Sequence, residues 1–119
     1  MNKRAFGAEG EASAKDYLVG SGYRILAMNY RRAGGEIDII AKKRNVTAFV
    51  EVKRRTSDRF GRPSEAVTPS KQRHILRAAM AYVQENALED STLRFDVIEI
   101  SGSEISHIEG AFDATGMQH

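Results

Sequence analysis

Glu36-Ile37-Asp38-Ile39-Ile40-Ala41 and, after Lys42 to Asn45, Val46-Thr47-Ala48-Phe49-Val50-Glu51-Val52-Lys53 decide the fold. Both runs are short, apolar and rich in β-branched residues, and the polar residues between them suit the tip of a tight hairpin. Strand side chains alternate between faces, so Glu51 and Lys53 share one face, as do Glu36 and Asp38. A two-residue turn at Arg44-Asn45 sets Asp38 opposite Glu51 and Glu36 opposite Lys53. Directly opposed side chains lie about 4.5–5.5 Å apart at Cβ, so two carboxylates there repel unless a cation sits between them.

Oxygen ligands of this kind suit Mg²⁺ or Mn²⁺, and Val52, between the two functional side chains, has a backbone carbonyl to add. Such an ion can activate a water and stabilise charge on a phosphate. Lys53 completes the set by steadying the nucleophile or the developing charge. The same residues also suit a cross-strand ion-pair network at the sheet edge, and the pattern by itself leaves both open. Glu11, near the apolar face of a helix at the N-terminus, is a third candidate acid, with pairing to Lys15 as its plainer role. Glu9 lies farther round that helix.

Working outward, Lys3 to Val19 reads as a helix ended by Gly20-Ser21-Gly22, with Gly7 and Gly10 as points of close packing. Tyr23 to Met28 reads as a first strand, and Arg31 to Gly35 as a turn. Arg54 to Ser64 reads as a loop. Pro69 opens a second helix running to about Asn86, capped by Thr68 or Ser70. Leu93 to Ile100 is a fourth strand, interrupted by Asp96 and Glu99, and a weak fifth lies around Glu104 to Ile108. The expected class is α/β, a mixed sheet flanked by helices in the order α-β-β-β-α-β, with the fourth strand brought parallel to its neighbour by the helical crossover. One domain spans 1–110, and 111–119 form a tail.

The 119 residues allow one modest core, and 41% are hydrophobic. There is no cysteine, which excludes disulfides and thiolate metal sites, and His74, His107 and His119 are too scattered for a histidine metal site. No apolar run reaches membrane-spanning length and no secretory signal opens the chain, so the expected compartment is the cytoplasm with no membrane partner. A formal charge of +2 hides an asymmetry: Arg24 to Arg77 holds 14 basic and 5 acidic residues, whereas Ala78 onward holds one basic residue and 8 acidic ones. The basic middle suits a polyanion. Arg54, Arg55, Arg59, Arg62, Lys71 and Arg73 are the candidate phosphate contacts.

Taken together, Gly7-Ala8-Glu9-Gly10-Glu11-Ala12, Asn29-Tyr30-Arg31, Gly35 to Ala41, Phe49 to Arg55, Phe60-Gly61, Glu65-Ala66-Val67, Lys71 and Arg94-Phe95-Asp96-Val97 resemble the YraN-like family of small bacterial proteins. That family is placed in the restriction-endonuclease-like superfamily with archaeal Holliday junction resolvases. The resemblance implies a restriction-endonuclease-like fold. It places metal-binding acids at Asp38 and Glu51, the catalytic lysine at Lys53 and a further helix glutamate at Glu11. The implied activity is Mg²⁺- or Mn²⁺-dependent phosphodiester hydrolysis of nucleic acid, with DNA, including branched or repair intermediates, as the expected substrate and a homodimer as the expected assembly. A non-catalytic nucleic-acid-binding or DNA-repair accessory module is the alternative.

Overall fold

A computed structural model describes residues 3–55 and 67–113. The element order is α1 (Lys3–Gly20), β1 (Arg24–Arg32), β2 (Gly35–Lys43), β3 (Val46–Arg55), α2 (Pro69–Glu85), β4 (Thr92–Ser101) and β5 (Glu104–Phe112). The five strands form one sheet in the order β1-β2-β3-β4-β5. Only the β3–β4 pair is parallel, as its helical crossover requires; the other three pairs are antiparallel.

One helix covers each face. On one side Ala14 and Leu18 of α1 pack on Ile39, Ala41, Ala48, Val50, Ile98 and Ile100. On the other, Ile75, Ala78, Ala79, Tyr82 and Val83 of α2 pack on Ile40, Phe49, Phe95 and Val97. The alternating strand residues thus feed two cores, and the central strands are apolar on both faces.

The helix ends follow local chemistry. Beyond α1, Tyr23 N–H donates to the Leu18 carbonyl (2.9 Å) and Gly22 N–H to that of Val19 (3.1 Å). Gly22 has φ +94°, the left-handed turn that this double closure demands. At α2, Thr68 rather than Ser70 is the cap: its hydroxyl accepts from Lys71 N–H (3.2 Å), and Pro69 follows at the first helical position. Gly10 is buried, with the aliphatic stem of Arg54 3.5 Å from where a Cβ would stand, so its reading as a packing point holds.

Three boundaries differ from the sequence pattern. The first strand runs on to Arg32, leaving only Ala33-Gly34 as the turn. It is an edge strand whose late arginines face solvent, and it is irregular: the register shifts between Ile25 and Ala27, and Asn29 has φ +51°. These breaks hide the period-two pattern. The third strand continues through Arg54 and Arg55, which the sequence placed in the loop, because both stay paired to β4. The fifth strand extends to Phe112, so Ala111 and Phe112, read as the start of the tail, belong to the sheet. The Phe112 ring stacks on Phe95 at 5.1 Å. No helix among the described residues is long and apolar enough to cross a membrane.

Candidate active site

The β2–β3 ladder pairs Lys43 with Val46 and proceeds in strict register to Ile39 opposite Val50, and there it stops. Arg44-Asn45 is the two-residue turn that sets this register. Beyond Ile39–Val50 the strands keep pairing outward, β2 with β1 as far as Gly35, β3 with β4 as far as Arg55. The sheet therefore forks, and Asp38 and Glu51 are the next residues on its two prongs. Side-chain faces change at the same place. Ile39 and Met28 pack on the α1 side, whereas Ile37 and Tyr30 pack on the α2 side, with left-handed Asn29 between Met28 and Tyr30.

Asp38 Oδ2 accepts the Val52 N–H at 2.8 Å, a donor left over when the ladder ends. Burial, then the charge of Glu51, push the Asp38 carboxyl up to about 7; Glu11 raises it further, while the Val52 N–H and Lys71 oppose the shift. Glu51 is buried, and its Oε1 forms an ion pair with Lys71 Nζ from the first turn of α2. That pair holds Lys71 above the ordinary lysine range, although burial acts against its charge. Lys53 follows Glu51 on the same face. Burial and then the neighbouring Lys71 ammonium lower its pKa.

The strands thus bring Asp38, Glu51 and Lys53 to one fork, with Val52 bound to Asp38 and the half-buried Glu11 of α1 within electrostatic reach. Among the described residues no three His, Asp or Glu side chains converge into a ready cation cage. Two carboxylates are enough for Mg²⁺, which usually completes its shell with water and substrate phosphate. Of the candidate phosphate contacts, Arg54 is tied to Glu9 (3.0 Å) and Arg55 to Glu99 (3.2 Å). Arg73 is exposed on α2, and Lys71 sits on Glu51. Arg59 and Arg62 lie outside the described residues.

Sequence reasoning missed two members of this neighbourhood. Lys71 appeared only as a phosphate contact, yet it is the direct partner of Glu51. Glu99 appeared as an interruption of β4. It is only 1% exposed and pairs in register with Lys53, and one of its oxygens, Oε2, has no hydrogen-bond partner. A charged residue in an otherwise apolar central strand was the available signal in both cases, since it demands a partner from elsewhere in the fold.

The fork resides in a chain whose relatives can be named. Residues 10–100 match the model of the Uncharacterised protein family UPF0102. The chain belongs to this family. A UPF0102 protein of Trichlorobacter lovleyi is 51% identical over 116 residues, covering 92% of this chain and 91% of its own. One of Lachnoclostridium phytofermentans is 48% identical, with 98% and 99% covered. A third, from Caldicellulosiruptor saccharolyticus, is 50% identical, with 84% and 85% covered. The UPF0102 match takes in every strand from β1 to β3 and nearly all of β4, so the fork lies wholly inside it.

The raised Asp38 pKa carries a stability consequence. Between about pH 4 and 7 the native carboxyl keeps a proton that the unfolded chain releases, so metal-free stability should fall as pH rises through that window and level off above it. Asp38→Asn can still accept from Val52 N–H but has no charge to bury. At pH 8 it should be more stable than wild type, by on the order of 2 kcal/mol. At pH 4 the two should match. Urea unfolding at both pH values tests this, and a constant offset between the two proteins would refute the assignment.

Proposed function

We propose that this protein hydrolyses phosphodiester bonds in nucleic acid with the help of Mg²⁺ or Mn²⁺, DNA being the expected substrate. The observation that carries the reading is the fork at Ile39–Val50, beyond which Asp38 and Glu51 follow on the two prongs, near enough that burial first and the Glu51 charge second raise the Asp38 pKa. A cation suits that donor set, and the resident lysines suit a phosphate beside it.

Asp38 and Glu51 would hold the ion. A residue's N–H and C=O point to the same side of a strand, so the Val52 carbonyl faces the Asp38 side as well and is available as a third oxygen. The bound ion supplies a polarised water and charge neutralisation at phosphorus. Lys53, its proton loosened by burial and by Lys71, takes a proton from the attacking water or steadies the charge growing on the phosphate. Lys71, now on Glu51, would be free to meet a phosphate oxygen if that carboxylate held a cation instead. Glu11 would add negative charge to the site. The water oxygen bonds to phosphorus, the bond to the departing sugar oxygen breaks, and that oxygen leaves with a proton from solvent.

A second reading is favoured by one contact. The Lys71 ammonium already sits where a cation would, on Glu51, which suits a module that binds nucleic acid without cutting it. One experiment separates the two. The protein is incubated with branched, flapped, single-stranded and duplex DNA in Mn²⁺, Mg²⁺ or chelator. Metal-dependent cleavage lost in Asp38→Asn and Glu51→Gln is the expected result. Binding in chelator with no cleavage of any substrate in metal would establish the second reading instead.

A further inference from the structure

Beside the fork lies a cleft of ≈ 560 Å³ between the tip of the β1–β2 hairpin and the N-terminal half of α2. Arg31, Gly34, Gly35 and Glu36 form one wall, and Lys71 and His74 line the other. Lys71 belongs to both places, since it lines the cleft and contacts Glu51. Lys71 is thus the link between the cleft and the fork.

Its walls are fixed at the base. A Cβ on Gly35 would stand 1.9 Å from the His74 carbonyl oxygen, so the hairpin lies directly against the α2 backbone and only glycine fits. On the floor side Arg32 is committed: it donates to both carboxylate oxygens of Glu85 (3.3 and 2.7 Å), which also accepts the Tyr30 hydroxyl. Two groups at the rim are not committed. His74 is exposed and makes no side-chain hydrogen bond or ion pair among the described residues. Arg31 has a 76% exposed side chain, and among the described residues its one ion pair is a long, solvent-screened contact to Glu36 (3.4 Å), which a phosphate can displace.

We propose that this cleft is a subsite for one unpaired nucleotide next to the bond cut at the fork, which makes the preferred substrate one with an unpaired nucleotide at that point, such as a flap or junction. The inference rests on the nucleic-acid reading of the fork and adds the substrate class. Size is the first argument. A cleft of this volume takes a single compact ligand of roughly 20 non-hydrogen atoms, a mononucleotide, but not a base pair with its stacked neighbours. Chemistry is the second. An imidazole and a guanidinium offer flat faces for a splayed base, a mode typical of unpaired nucleotides. Lys71, at the mouth, meets the phosphate that joins this nucleotide to the next.

The test measures binding in chelator, so its outcome does not depend on cleavage. Fluorescence anisotropy compares a labelled duplex carrying a short single-stranded flap with the same duplex fully paired. Wild type should prefer the flap about tenfold. The double variant Arg31→Ala/His74→Ala should bring that preference to within twofold and leave affinity for the paired duplex within twofold of wild type. His74→Phe, which keeps a ring, should retain the preference where His74→Ala reduces it. Equal wild-type affinity for both substrates, or a preference that survives the double variant, overturns the subsite and leaves the nuclease reading standing. Failure to bind either substrate also overturns the subsite, and the separate cleavage screen in metal decides the nuclease reading.

Discussion

Lys53→Ala should cut at least about 100-fold more slowly than wild type in single-turnover assays while binding Mn²⁺ with nearly unchanged affinity. The expectation follows from position. Lys53 shares a strand face with Glu51, and burial and the Lys71 ammonium lower its pKa. Under the proposed mechanism it would act on the water or on developing charge, a contribution of about 10²–10⁴ in rate. Removing it costs the ion nothing. Asp38→Asn and Glu51→Gln should fail differently, losing metal binding and cleavage together, because they remove the charge that would hold the proposed ion. Calorimetric Mn²⁺ titration beside cleavage rates distinguishes the two patterns. Should Lys53→Ala cut at the wild-type rate with intact structure, the lysine's role is misassigned even if the protein is a nuclease.

The second large effect lies outside the fork, at Asp96. This carboxylate is fully buried. It accepts from Arg94 Nε and Nη2 (both 2.9 Å), from Gly110 N–H (3.0 Å) and from His107 Nε2 (2.8 Å). Although burial would raise its pKa, the bonds from His107, Arg94 and Gly110 prevail and hold the carboxyl below the usual range. An ionised carboxylate only accepts, so His107 Nε2 carries a proton; Nδ1 meets the Tyr17 hydroxyl at 3.1 Å. Arg94 also reaches the Tyr23 hydroxyl (2.5 Å) and Glu109 (2.9 Å). One side chain thereby ties α1, the entry to β1, β4 and β5 together. Asp96→Ala should cost about 3–5 kcal/mol, because it leaves the half-buried Arg94 guanidinium, the His107 Nε2–H and the Gly110 N–H without their buried acceptor. That is much of the stability of a domain this size and should lower Tm by roughly 10–20 °C. Urea and thermal unfolding measure it. A loss under about 1 kcal/mol would mean that water replaces the carboxylate and that the network holds nothing together.

The β2–β3 register was legible in the sequence because it rests on two local facts, period-two alternation and a two-residue turn at Arg44-Asn45. Those facts put Asp38 and Glu51 at matching positions before any tertiary contact is known. The fork itself was not legible. Asn29 leaves the strand conformation on β1, one strand away, and no pattern within β2 announces it. Asp96 and Glu99 read as flaws in a strand for a similar reason: their partners are brought to them by other parts of the fold, Gly110 14 residues away and Arg55 44 residues away. The extension of β5 past Ile108 was hidden by Glu109-Gly110, which looks like a turn until Gly110 N–H is seen bound to Asp96. Lys71 reads correctly as a residue of α2, but its contact with Glu51 is not legible, since how far α2 reaches over the sheet end is a matter of packing.

The ladder that halts at Ile39–Val50 also orders events in time. A hairpin with a two-residue turn closes in about 1–10 μs, ahead of any contact that must wait for the β3-to-β4 crossover. Zipping starts at Lys43–Val46 and runs out at the two carboxylates, so Asp38 and Glu51 are the last residues of the hairpin to be placed. Substitutions at the fork then alter how fast the native chain opens while leaving how fast it forms nearly untouched. The turn is where formation is decided. Asp38 and Glu51 can thus be substituted at one end of the hairpin without slowing the search for the fold at the other.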